Sequence, residues 1–232
     1  TKPAPNVWDL SEMPGGMWNQ LPMDRYKAYL HHGFSGMREP YGSIYTSLGC
    51  PMSCSFCNIQ APFREGDTLK LNGKANSYRM WPVDAVIREI DTLVEKYGVT
   101  TIRIDDEMFI LNPRHVFEVC AAITERYGDR LNLWCYGRVD CTHEKYLDAL
   151  AKAGMRWICL GVEAVSDEVR DGVDKADYGR KEIVDTVKRI EAHGINVIAN
   201  YMVGLPQDTI ETMQATLDLA MELNTAYMNV YA

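Results

Sequence analysis

Apolar positions along the chain repeat in two alternating periods. Short apolar, β-branched and aromatic runs read as strands at residues 43–48, 100–104, 131–139, 156–163, 196–203 and 226–231. Between them, apolar residues recur at helical spacing. Val83, Val86, Ile87, Ile90, Leu93 and Val94 predict a helix over 83–97, and similar patterns predict helices over 113–127, 144–153, 180–193 and about 209–223. Punctuation agrees with this division. Gly98, Gly154 and Gly194 follow three helices, Pro113 opens one, and Ser166 fits the N-cap of a short helix from Asp167. Asp208 and Glu211 fit the N-cap and third position of a capping box. Strands and helices that alternate in this way predict an α/β fold. Its parallel strands, joined by right-handed helical crossovers, close into a full or partial barrel.

Two stretches depart from the pattern. Residues 1–40 are punctuated by Pro3, Pro5, Pro14 and Pro22, with interspersed Trp and Met. They read as an N-terminal arm with a short helix over 23–32. Residues 58–80 read as a long loop with turns at Gly66-Asp67 and Asn72-Gly73. Loops of that length inside a compact domain usually carry function.

Composition narrows the class. The 232 residues are 47% hydrophobic and 24% charged, enough for one sizeable core. A formal net charge of −8 does not favour a nucleic-acid partner. No stretch approaches the ~20 consecutive apolar residues of a membrane span, and no signal peptide is visible. Seven cysteines, an odd number, argue for reduced thiols in the cytoplasm over a disulfide framework.

Chemistry concentrates where strands end. Cys50, Cys54 and Cys57 are spaced C-x3-C-x2-C just after the first strand, with Phe56 between the last two. Three thiolates so close suit one metal or one iron–sulfur cluster, and three ligands leave one iron of a [4Fe–4S] cube open. Two alternatives are a zinc site completed by a histidine or Cys141, and three unrelated buried thiols. Asp105-Asp106-Glu107 ends the second strand, either as a helix-start acidic cluster or as a cation partner. Arg138 ends the third, poised to pair with a ligand carboxylate or with Asp140. Alternation puts Trp134 and Tyr136 on the face of Arg138, with Leu133 and Cys135 opposite. Glu163 ends the nearly all-apolar fourth strand, a costly place for a carboxylate without a partner. Asn200 interrupts the apolar fifth strand and is expected to point inward, and Gly204-Leu205-Pro206 follows it. Cys120, Cys135, Cys141 and Cys159 read as packing thiols. The adjacent His31 and His32 read as surface or packing residues, with metal ligation as the alternative.

The motif C-x3-C-x-aromatic-C after a first strand resembles the signature of the radical S-adenosylmethionine enzymes. The resemblance implies a partial (β/α)6 barrel over residues 41–232. It implies that Cys50, Cys54 and Cys57 hold a [4Fe–4S] cluster whose open iron chelates S-adenosylmethionine. Reductive cleavage would then release a 5′-deoxyadenosyl radical. Glu107 aligns with the family's Gly-Gly-Glu motif, with Asp105 and Asp106 replacing the glycines. Phe56, Asp106, Glu107, Arg138, Glu163 and Asn200 become cofactor-binding candidates. Ala164 replaces a family serine, and Lys175 matches a basic position of many relatives. The segments Leu21-Pro22-Met23-Asp24-Arg25-Tyr26, Tyr78-Arg79-Met80-Trp81 and Asn200-Tyr201-Met202-Val203 resemble the cobalamin-binding subgroup, whose members often methylate unactivated carbon or phosphorus. That subgroup implies a cobalamin-dependent methyltransferase. Hydrogen abstraction without methyl transfer and a non-catalytic metal-binding module are the alternatives. An electron donor such as flavodoxin or ferredoxin is implied, and the substrate is left open. A chain ending on a strand with no covering helix reads as a fragment of a longer protein.

Overall fold

A computed structural model describes residues 10–12, 15–28, 39–57, 78–175 and 178–232. His31, His32, the last four residues of the expected helix over 23–32 and the turns at Gly66-Asp67 and Asn72-Gly73 lie outside the described residues. The described part corrects the helix expectation: Met23–Arg25 form a single 3-10 turn, Tyr26 is extended and Lys27 bridges to Pro40.

One six-stranded sheet organises the molecule. Its strands are β1 (Tyr41–Ile44), β4 (Thr101–Ile104), β5 (Asn132–Arg138), β6 (Met155–Glu163), β7 (Asn196–Met202) and β8 (Tyr227–Tyr231). They lie side by side in that order and every neighbouring pair is parallel. A separate antiparallel ribbon joins β2 (Ser47–Leu48) to β3 (Arg79–Met80). The crossovers carry α1 (Val83–Asp91), α2 (Pro113–Tyr127), α3 (Glu144–Lys152), α4 (Asp167–Asp171), α5 (Arg180–Ala192) and α6 (Ile210–Leu223). The sheet is an open, partial barrel: β1 and β8 are its edges and do not pair with each other.

Period-two alternation divides the side chains between two faces. Leu133 and Cys135 of β5 join the main core beneath the helices, together with Ile102, Ile158, Leu160 and Val197. Trp134 faces the other way, packing with Cys159 and Ile198 in a small cluster on the barrel's inner side. Tyr136 lies beside it, ring centroids 5.7 Å apart. Cys120, Cys135, Cys141 and Cys159 are all buried.

Three local expectations change. The apolar run 43–48 is two strands, because the chain leaves the sheet after Ile44 and Thr46 turns to meet Asp106. The helix from Val83 widens into a π-helical turn over Thr92–Lys96 before Gly98, whose φ of 64° suits only glycine well. The capping box of α6 uses Thr209 and Thr212, not Asp208 and Glu211. Asp208 instead accepts the backbone N–H groups of Gly204 and Leu205, 2.8 and 3.0 Å away, and so fixes the turn before the helix.

Candidate active site

Because all six strands run parallel, their carboxyl ends share one side, where barrel enzymes build active sites. The cysteine loop leaves β1 there. Gly49 takes a φ of 86°, a left-handed turn that a side chain would strain, and its N–H donates to Glu107 Oε2 at 3.1 Å. Cys50 follows, half-buried; Cys54 is buried and Cys57 exposed. The loop is pinned by Ser55 N–H donating to Val173 O (2.9 Å) and by Cys57 N–H donating to Cys54 O (3.1 Å). None of the three thiols is in a disulfide. Burial raises the Cys50 pKa, and the neighbouring Cys54 and Cys57 add to the effect. Among the described residues, no group of three His, Cys, Asp or Glu side chains encloses a point where one metal ion could sit. Sulfurs bound to three different irons of a cube stand farther apart than sulfurs sharing one ion. Three thiols within electrostatic reach of one another, one beside a guanidinium, form a donor set that suits a cluster.

The acidic run after β4 splits into three roles. Asp105 pairs with Arg103, whose Nη2 donates to its Oδ2 at 2.9 Å. Asp106 is fully buried. Its Oδ1 accepts Thr46 N–H, and its Oδ2 accepts the hydroxyls of Thr46 and Ser47, all at 2.6 Å. Thr46 Oγ1, having donated its proton, accepts from His115 Nε2 at 2.9 Å. Asp106 was a cofactor candidate by sequence; its observed partners make it the anchor of the corner that launches the cysteine loop. Burial outweighs these hydrogen bonds and raises its pKa to about 6. Glu107 alone of the three reaches toward the loop.

Arg138 sits at the end of β5 and is 6% exposed. Nε and Nη2 grip the two oxygens of Asp140 at 2.9 and 2.8 Å, and Nη2 also donates to Lys175 O. Nη1 donates to Cys54 Sγ at 3.1 Å. Both sequence-based partners were carboxylates; the structure supplies Asp140 and adds a thiol.

Glu163 ends β6 in the left-handed region, at a φ of 63°, where the register with β7 shifts. That backbone costs about 1–3 kcal/mol for a non-glycine residue, and it re-aims the carboxylate at Lys175. Lys175 Nζ lies 2.5 Å from Glu163 Oε1, a buried ion pair, and 6.0 Å from the centre of the Phe56 ring. Gly161 makes room: a Cβ there would stand 2.6 Å from Glu163 Oε1 and 3.1 Å from Lys175 Nζ. Asn200 accepts from Asn229 Nδ2 of β8 at 2.9 Å. Sequence reasoning passed over Thr46, Ser47 and Gly161 and gave Lys175 little weight. A glycine two places before a strand-end Glu was the available signal.

The profile described as the Radical SAM superfamily matches residues 44–220, most of the chain. The chain belongs to the radical SAM superfamily. An uncharacterized methyltransferase of Pyrococcus horikoshii is 28% identical to this radical SAM chain over 225 residues, 97% of this chain and 44% of that protein. A tryptophan 2-C-methyltransferase of Streptomyces laurentii is 25% identical over 195 residues, 79% of this chain and 31% of that protein. The radical SAM chain therefore spans less than half the length of either relative. The solved structure of the radical S-adenosylmethionine methyltransferase TsrM from Kitasatospora setae, with tryptophan and a cofactor analog bound, superposes with a TM-score of 0.71. At 24% identity, covering 87% of this chain and 36% of that one, it shares the fold. No described helix is long and apolar enough to cross a membrane.

Proposed function

We propose that this chain is the cluster-bearing core of a cobalamin-dependent radical SAM methyltransferase. One observation carries the reading: three thiols on a single loop at the carboxyl ends of the strands, beside Glu107 and the Glu163–Lys175 pair. Cys50, Cys54 and Cys57 would hold a [4Fe–4S] cluster, with one iron left for the amino and carboxylate groups of S-adenosylmethionine. When bound, the reduced cluster supplies the electron that cleaves the sulfonium to methionine and a 5′-deoxyadenosyl radical.

The chain's own residues bind and orient. Glu107 already braces Gly49, and it would take the cofactor's ammonium beside the loop it holds. Glu163 and Lys175 would meet the ribose and methionyl part as a charged pair whose geometry is set before binding. Phe56 would pack against the cofactor from the loop side, and Asn200 would reach it from β7. Asp106 anchors the loop from behind and stands outside this shell. Trp134 and Tyr136 on the inner face would wall the space that receives substrate. Residues 41–232 form the barrel core in this reading and residues 1–40 an arm leading into it. Methyl transfer, the substrate, cobalamin and a flavodoxin- or ferredoxin-like donor belong to the whole protein. The relatives' names support methyl transfer, and a TsrM structure with cobalamin and a [4Fe–4S] cluster bound supports cobalamin; no step through cobalamin is assigned to a residue here. A reducing cytoplasm suits thiols of this kind.

Reconstitution without oxygen tests the proposal. About four irons per chain and a broad brown absorption band are expected, both lost in Cys54→Ala. Reduction with dithionite in the presence of S-adenosylmethionine should give 5′-deoxyadenosine above a Cys50→Ala control, and no methylated product without added cobalamin. Stoichiometric zinc with no iron uptake would sink the reading.

A further inference from the structure

We infer that Arg138 tunes the reduction potential of the cluster by donating a hydrogen bond to the Cys54 sulfur. The inference rests on the cluster reading above and deepens it. It starts from where the guanidinium is committed. Arg138 presents its fork, Nε and Nη2, to Asp140, and Nη2 is further tied to the Lys175 carbonyl. These bonds fix the plane of the group and leave Nη1 aimed at Cys54 Sγ, 3.1 Å away. Cys54 is itself buried, so water competes weakly for the sulfur.

The holding residues are themselves braced. Lys175 N–H donates to Arg170 O at 3.1 Å, so the carbonyl gripping Arg138 belongs to an ordered turn after α4. The same Lys175 spends its ammonium on Glu163. Two strand ends thus converge on one residue, its carbonyl serving Arg138 and its side chain serving Glu163.

Adding an electron to a thiolate-ligated cluster increases its negative charge. A donor on a ligand sulfur stabilises the reduced state more than the oxidised one and raises the potential. A guanidinium stays charged at all working pH values, so it supplies the bond continuously. An arginine so engaged has no second fork with which to clamp a cofactor carboxylate. Arg138 is therefore a positioning and tuning residue, acting through Cys54.

The test is redox titration of the reconstituted protein without S-adenosylmethionine, comparing wild type, Arg138→Lys and Arg138→Met. In Arg138→Met the reduced-to-oxidised ratio at a fixed potential should fall about tenfold, equivalent to ~59 mV for one electron. Arg138→Lys, which keeps the charge and loses the fork, should fall between. Protein labelled with 15N-arginine gives a readout that needs no destabilising change: pulsed EPR of the reduced cluster should show a weakly coupled 15N, absent in Arg138→Lys. Absence of that coupling in labelled wild type overturns the inference even if Arg138→Met fails to fold. Unchanged potentials with weakened S-adenosylmethionine binding would also overturn it and return Arg138 to the cofactor carboxylate. Failure of wild type to take up iron would remove the cluster reading and this inference together, whereas an iron-loaded wild type with no 15N coupling removes the inference alone.

Discussion

A single buried carboxylate governs where the cysteine loop begins. Asp106 gathers Thr46 and Ser47 through three short bonds and, through Thr46, the ring of His115. Its folded pKa of about 6 lies above the ordinary aspartate value of 3.8, because burial penalises the anion more than the hydrogen bonds favour it. A proton can be accommodated on Oδ2, since both hydroxyls facing it can accept as well as donate. The sign follows from linkage. Between these two pKa values the folded chain binds more protons than the unfolded chain, so this group's contribution is full below about pH 4 and lost as pH rises through 6. The span corresponds to about 3 kcal/mol. Urea titrations of the wild type between pH 4 and 7 should therefore show a decline that Asp106→Asn does not share. Parallel pH profiles for the two proteins would contradict this account.

Among the elements, β6 shows how a strand is bent to serve a site. Its register shift and the left-handed Glu163 aim the carboxylate at Lys175, and Gly161, lacking a side chain, leaves room for the pair. The carboxylate and the ammonium of Lys175 occupy the space a Cβ would need. Gly161→Ala should therefore push the pair apart and cost about 1–3 kcal/mol, the range for overpacking a well-filled site. Thermal or urea unfolding measures the cost. Ala at this position with unchanged stability would mean that the pair relaxes freely and is not held by the strand. The same logic explains why the run 43–48 breaks: a bond to a distant carboxylate outcompetes continuation of the ladder. Neither feature disturbs period-two alternation, so neither announces itself in the pattern of apolar residues.

At the scale of the whole molecule, the barrel is open, and its last strand is an edge. β8 exposes Tyr227, Met228, Val230 and Tyr231, and the neighbouring α6 exposes Ile210, Leu217 and Met221. An uncovered apolar edge strand offers unpaired backbone groups to other chains. This chain alone should self-associate as its concentration rises, despite its net charge of −8. Replacing Met228 and Val230 together with Lys should suppress that association without changing the far-UV spectrum. Sedimentation velocity over a tenfold concentration range reads the outcome, and a monomer at every concentration in the unaltered chain would refute the prediction.

Much of the architecture was legible in the sequence, because alternation and helical spacing are local consequences of which face each element buries. Pro113–Tyr127 was bounded to the residue, its start marked by a proline. The six parallel strands and the cysteine loop followed from the same local signals, as did the side of the sheet on which the loop lies. The partners of the charged residues were not legible. Whether Arg138 met Asp140 or a ligand was open, and its bond to Cys54, 84 residues away, is made by the closing of the barrel. Asp106 and Glu107 are adjacent in sequence, yet one faces the interior and the other the loop. Glu163 found its cation in Lys175, beyond the strand and a helical turn. The sequence by itself determined which elements form and which chemistry gathers at their ends. Only the tertiary structure decided which charge meets which, because a buried charge takes its partner from whatever chain the fold brings within about 3 Å.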